Sequence, residues 1–339
     1  PSGYDSHALG RHNWTLHDPS AIVALDGWLL LAVTGKENTH GYTCGLELWY
    51  LAPGYTTWRF GQCLLTDKPD WVDEEVPTND GAFWAPGFLR PRELYYSVSG
   101  MLDSGDSCIG RLIAHGSPPH LTWIDSGEPV TCTFAPEYDS YPAPNSIDPD
   151  AFIDEHGDPY LVYGGGHIYV TALESATGLQ RNEQWWEPMH AEHSLVASPN
   201  EDGEWIEAPY IHYRSGYYYL FANWGDCCRG LASTYTIVVG RSRQPMGPFR
   251  DRNGNDMREG GGSPFLETSG DQIGPGHAGI FSYIDVDGNP KDVFTYHFYD
   301  RSREGASWVG ARRLRWVDGW PLLEGAAFDF RDYWLSAPP

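Results

Sequence analysis

The chain has 339 residues, enough for one large all-β domain or two smaller ones. Its 46 acidic against 22 basic side chains give a net charge of −24, which opposes attraction to nucleic acid or to anionic membranes, and no apolar run reaches the length of a membrane span. Aromatic residues make up 14%, and 39 Gly with 26 Pro mark many tight turns, a composition suited to short strands and to clefts lined by flat rings, for which a neutral sugar is a fitting partner.

Residues 1–17 carry no long periodicity, and Pro1 in place of Met reads as a chain trimmed after a secretion signal, so an extracellular protein is expected. A strand at 21–25, the turn Asp26-Gly27 and a strand at 28–33 form a hairpin, and strands at 47–51 and 57–60 complete a first unit. An acidic, Pro-broken loop over 67–80 follows and reads as part of a rim; across one end of a groove it would favour release of single sugars. A second unit runs through 88–89, 94–98, 108–113 and 122–124, and a third opens at Asp148-Pro149 and continues through 160–163. Residues 180–193 hold the one helical pattern, weakened by Pro188. The fourth unit has strands at 210–213, 217–221 and 235–239, and the glycine-rich stretch 254–262 leads to a fifth at 276–280, 293–297 and 311–316, with a turn at Asp318-Gly319.

The units share an entry. It is Asp18-Pro19, Ala85-Pro86, Asp148-Pro149, Ala208-Pro209 and, more loosely, Gly276-His277-Ala278, at intervals of about 60 to 70 residues. All-β repeats of this length are blades, so the expected fold is a five-bladed β-propeller, one domain spanning residues 1–339. Closure of such a ring leads us to expect a terminal segment that completes the sheet of the opposite blade. The six cysteines allow three bridges. Cys44 and Cys63 flank one turn and Cys108 and Cys132 another, so both pairs are expected to bridge across hairpins; Cys227-Cys228 is either a vicinal disulfide that stiffens a rim loop or two thiols.

Innermost strands line a propeller's axis, so residues at their starts converge on one end of the channel. Asp18 and Asp148 stand at two such starts, and Glu207 one step before a third. Alone, Asp-Pro is a common turn starter and Glu207 a solvated strand end. Together they make the carboxylate set that glycosidic hydrolysis uses, with an acid for the leaving oxygen, a base for water and a third group that tunes the acid.

On these motifs the chain resembles glycoside hydrolase family 43. His17-Asp18-Pro19-Ser20 is similar to its base motif, Phe83-Trp84-Ala85-Pro86 to its second-blade motif, Ser146-Ile147-Asp148-Pro149 to its tuning motif and Glu207-Ala208-Pro209 to its acid motif. The resemblance implies Asp18 as general base, Glu207 as general acid and Asp148 as the modulator that raises the pKa of Glu207. Candidate substrate contacts are His17, Trp84, Ser146, Trp224 and Arg313; the two tryptophans read equally as core aromatics, and Arg313 alternates with Arg312 in a strand so that one of them points inward. Cys227-Cys228-Arg229-Gly230, Ser233-Thr234-Tyr235 and Val239-Gly240-Arg241-Ser242 resemble the arabinan-degrading branch. Gly274-Pro275-Gly276-His277 is similar to a stretch of that branch whose His is associated with a bound ion, often calcium, so a structural calcium near His277 is implied. Neutral imidazole is a poor calcium ligand, and contact of His277 with such an ion would run through water. The chemistry itself needs no cofactor. The implied enzyme is a secreted, monomeric, inverting hydrolase of α-L-arabinofuranosyl linkages in plant cell-wall polysaccharide, exo or endo, Gly87 and Ala278 departing from the branch's usual residues. A β-xylosidase or galactan hydrolase of the same fold, and a catalytically silent sugar-binding propeller, are the alternatives.

Overall fold

The structure, a computed structural model, describes residues 16–35, 44–100, 106–133, 145–180, 193–200 and 204–336; the helical pattern between Gln180 and His193 falls almost wholly outside them. Five antiparallel sheets follow one another in chain order. Blade one is β1 (Val23–Leu25), β2 (Trp28–Thr34), β3 (Leu46–Leu51) and β4 (Arg59–Cys63). After helix α1 (Asp70–Glu75) comes blade two, β5 (Phe83–Arg90), β6 (Glu93–Ser99), β7 (Ser107–Ser117) and β8 (His120–Asp125), with the short β9 (Thr131–Cys132) returning to β7. Blade three is β10 (Asp150–Ile153), β11 (Pro159–Tyr163), β12 (Ile168–Ala172) and β13 (Ser194–Ala197). Blade four is β14 (Ile206–Arg214), β15 (Tyr217–Trp224), β16 (Thr236–Ser242) and β17 (Ser263–Leu266). Blade five is β18 (Gln272–Ile284), β19 (Pro290–Asp300), β20 (Ala306–Val317) and β21 (Trp320–Ala327), and helix α2 (Phe330–Ser336) follows it.

Turn chemistry sets the hairpins. Asp26-Gly27, Ser215-Gly216 and Asp318-Gly319 each put both residues at positive φ, 49° and 79°, 51° and 79°, 51° and 73°, the pairing whose twist matches two right-twisted strands. The apolar side chains of the blades do not meet in one core. They form five clusters, one in each seam between neighbouring blades: Leu48 with Leu94, Tyr95 with Leu161, Val162 with Leu220, Phe221 with Phe294, and Leu31 with Val293. Burying one such Val, Leu or Phe contributes about 1.5–3 kcal/mol, so the seams hold the ring together.

Three expectations change here. Among the described residues no terminal strand joins the opposite sheet; each blade is built from consecutive strands. The seam between blades one and five is closed by Leu16, whose N–H donates to the Ser307 carbonyl at 3.2 Å and whose carbonyl accepts from Ser307 Oγ at 2.6 Å. Helix α2 covers the same seam, with Phe330 edge-on to Trp58 and Tyr333 against Phe281 and Tyr283. The acidic loop does not stand free as a wall, because α1 buries Trp71 and Val72 between blades one and two and Trp71 Nε1 donates to Asp125 at 2.9 Å. All six cysteines are bridged, Cys44 to Cys63, Cys108 to Cys132 and Cys227 to Cys228. The second of these joins β7 to β9 rather than the two arms of a hairpin, since Cys108 and Cys132 are direct partners in that pairing.

Candidate active site

At the repeated entry of every blade one residue takes a left-handed backbone: Asp18 at φ 44°, Ala85 at 48°, Asp148 at 53°, Ala208 at 52° and His277 at 58°. The ladder slips register there in β5, β14 and β18, so the entry is a bulge that re-aims the strand. Such a backbone costs a non-glycine residue about 1–3 kcal/mol and persists only where neighbours hold it. Each N–H is held by a side chain of the preceding blade. Ala85 N–H donates to Thr34 Oγ1 at 2.8 Å, Asp148 N–H to Ser97 Oγ at 2.8 Å and Ala208 N–H to Asp148 Oδ2 at 3.1 Å. His277 N–H donates to Asn223 Oδ1 at 3.0 Å, and Asp18 N–H to His297 Nδ1 at 3.3 Å. These bonds run once around the axis and close between blades five and one, which gathers Asp18, Asp148 and Glu207 close enough for their charges to act on one another.

Asp18 sits in a cage of imidazoles. Its Oδ1 lies 2.7 Å from His17 Nδ1 and 3.5 Å from both His277 Nδ1 and His297 Nδ1, while Oδ2 accepts from Thr34 Oγ1 at 2.8 Å. Burial alone would raise its pKa, but the charge and hydrogen bond of His17, joined by His277 and His297, carry it well below the usual carboxylate range. Burial pushes the imidazoles of His277 and His297 down, so their charge acts on Asp18 only at low pH, and near neutrality the direct bonds from His17 and Thr34 hold it. His17 also stacks on His297 with ring centroids 3.9 Å apart.

Glu207 has the opposite environment. Burial raises its pKa, bonds from the Tyr235 hydroxyl to Oε1 and from Trp205 Nε1 to Oε2 at 2.8 Å pull it back, and the charge of Asp18 raises it. Asp148 is pushed up further, by burial first and then by the charges of Glu207 and Asp18. Asp148 and Glu207 titrate as a pair that retains a proton where Asp18 has none, and the proton belongs to the pair rather than to Glu207 alone. Tyr235, its own pKa raised by burial and then by the charge of Glu207, stays a phenol and a donor.

His17, Asp18 and His297 present ligand atoms within 4.8 Å of one another. Calcium takes about six to eight oxygens, and imidazoles around one carboxylate do not supply that shell, so these histidines do not fit direct calcium ligation and their contact with such an ion would run through water.

The structure brings His17 and His277 to the site with the three carboxyl groups. Trp84 is half-buried beside the bulge of β5, and His277 is part of the cage. Three other candidates go elsewhere. Ser146 is fully buried behind Asp148, its N–H held by Ser107 Oγ at 3.0 Å and Thr133 Oγ1 at 2.7 Å, so it is a strut and not a sugar contact. Trp224 packs on the cluster between blades three and four and against Gly262, where a Cβ would stand 3.0 Å from its ring. Arg313 pairs with Asp332 of α2 at 2.5 Å and lies over Phe328; it faces Val293, four residues or about 13 Å along β19 from His297. Sequence reasoning missed Trp205, which is 45% exposed beside Glu207 and lies against Gly166 as a flat ring at the mouth. Its spacing of two residues from Glu207 was the available signal. Thr34, Tyr235, Tyr299 and His297 were missed too, since they reach the site from second and third strands.

Five blades with three acids at one mouth of the axis define a propeller-type glycoside hydrolase. The model of glycosyl hydrolases family 43 matches residues 14–321, and the chain belongs to that family. It is 31% identical over 335 residues to an extracellular exo-α-(1→5)-L-arabinofuranosidase of Cellvibrio japonicus, with 96% of this chain and 90% of the relative covered. It is 32% identical over 318 residues to an extracellular endo-α-(1→5)-L-arabinanase of Bacillus subtilis, covering 92% and 88%. Among solved structures, an exo-1,5-α-L-arabinanase from a bovine ruminal metagenomic library superposes with a TM-score of 0.77 at 29% identity, over 96% of this chain and 100% of that one.

Proposed function

We propose that the chain is a secreted, monomeric, inverting hydrolase of α-L-arabinofuranosyl linkages in arabinan or in arabinose-substituted polysaccharides, with Asp18 as general base, Glu207 as general acid and Asp148 as the group that sets the acid's proton affinity. One observation carries the assignment: a carboxylate held ionised by His17 and Thr34 faces a buried carboxyl pair that retains a proton. Glu207 gives its proton to the leaving glycosidic oxygen while Asp18 takes one from the water that attacks the anomeric carbon on the opposite face, and the configuration inverts. Afterwards Glu207 is ionised and Asp18 protonated, and exchange with solvent restores both. The step is carried by carboxyl groups and water alone, with Trp84 and Trp205 offering apolar faces to the sugar.

The names of the relatives support the arabinan substrate, one naming an exo mode and the other an endo mode. Two relatives named as extracellular and three bridges support secretion. The test is sugar release from linear arabinan, branched arabinan, xylan and galactan. Release from the arabinans is expected, the product lengths from linear arabinan separating exo from endo action; release from xylan or galactan alone would overturn the substrate assignment.

A further inference from the structure

The loop between β15 and β16 carries the Cys227–Cys228 bridge, and it reaches the base through a line of hydrogen bonds. Cys228 N–H donates to Tyr299 Oη at 2.7 Å, Tyr299 Oη lies 2.6 Å from His17 Nε2, and His17 Nδ1 lies 2.7 Å from Asp18 Oδ1. Neutral His17 with its hydrogen on Nδ1 completes this line. In that form the phenol of Tyr299 accepts from Cys228 and donates to His17 Nε2, and burial keeps that hydrogen on Tyr299 by pushing its pKa up to about 12. An Nε2 that accepts leaves the imidazole hydrogen on Nδ1, where it donates to Asp18.

The loop places that first N–H by an uncommon backbone. Cys228 sits at φ 66°, where a side chain other than glycine's is strained unless its surroundings fix it. The covalent link to Cys227 does so from one side. On either side of the pair the chain is tied, by Asp226 N–H to Thr234 Oγ1 at 2.9 Å and by Arg229 N–H to Ser233 Oγ at 3.0 Å. Without the bridge Cys228 is free to relax to ordinary backbone, its N–H leaves Tyr299, and the hydrogen of Tyr299 and the tautomer of His17 are no longer set.

We infer that the vicinal bridge is a positioning element of the reaction: through Tyr299 it fixes the tautomer and place of His17, and so the orientation of Asp18. The inference rests on the reading of Asp18 as base. It makes Cys227, Cys228 and Tyr299 positioning residues, none of which needs to touch the reacting atoms.

The experiment compares the double variant Cys227→Ala with Cys228→Ala, the variant Tyr299→Phe, and the two combined, on an aryl α-L-arabinofuranoside and on linear arabinan. A misplaced base predicts a loss of kcat of about 10- to 100-fold on both substrates, KM within about twofold, and a combined variant no worse than the weaker of its parents. A structural strut predicts a lowered melting temperature without that pattern. Full kcat in a folded double variant, a loss confined to the polymer, or losses that multiply on combination would overturn the inference. Tyr299→Phe keeps the bridge and the ring, so it carries the same expectation should the double variant melt. Asp18→Asn measured alongside separates the two levels: retained activity there overturns the base assignment itself, whereas an inactive Asp18→Asn beside a fully active double variant overturns only the role of the bridge.

Discussion

Asp18→Asn is expected to lower kcat by roughly 10²- to 10⁴-fold on arabinan and on an aryl α-L-arabinofuranoside alike. Water must be deprotonated whatever group departs, and an amide cannot take the proton. The substitution also places an NH₂ among donors, since His17 Nδ1 and Thr34 Oγ1 both point at this carboxylate. A donor facing donors in a partly buried cage costs about 1–3 kcal/mol, so some loss of thermal stability accompanies the loss of rate. Steady-state kinetics on the two substrates decides the matter, and substantial activity on either one removes Asp18 from the role of base.

Glu207→Gln is expected to separate the same two substrates. Arabinan cleavage falls by roughly 10²- to 10⁴-fold because a sugar alkoxide leaves poorly without a proton, while an aryl leaving group needs little help and its cleavage is largely spared. The pH profile reports the same group. Burial raises the pKa values of Asp148 and Glu207, the charges of Glu207 and Asp18 add to it at Asp148 and that of Asp18 at Glu207, so the acid is protonated below the upper pKa of the pair and activity is lost as pH rises through it. Asp148→Asn removes a like charge, lowers the acid's pKa and moves the basic limb to lower pH. An equal loss on both substrates in Glu207→Gln, or a basic limb that moves upward in Asp148→Asn, contradicts the assignment of the acid.

Much of this geometry was legible because one backbone conformation recurs. The Pro-marked entries of blades one to four and the looser His277-Ala278 of blade five share a left-handed residue, and a bulge repeated around an axis leaves a trace at each turn of the chain. That trace located Asp18, Asp148 and Glu207. Alternation along a strand says which residues share a face but not which seam the face enters, and this is why the pattern left Trp224 open between core and cleft and did not choose between Arg312 and Arg313. Arg313 does face out of its strand, toward Asp332 in a helix that no pattern announced. Ser146 shares a motif with Asp148 yet turns into the protein, because its N–H is claimed by two hydroxyls from the neighbouring blade. Thr34, Ser97, Asn223 and His297 each cap a bulge on the next blade, a relation between residues some 50 or more positions apart that only the closed ring reveals.

A water seated between Asp18 and the sugar is the centre of the proposed chemistry, and the anomer first released from an α-L-arabinofuranosyl substrate tests it most directly. Proton NMR taken during the first turnovers, before the free sugar equilibrates, should show the β anomer, and the carboxyl groups of Asp18 and Glu207 should then stand about 6.5–9.5 Å apart around that water. Appearance of the α anomer first would mean that a carboxylate attacks the sugar itself, and would contradict both the inversion and the role of Asp18.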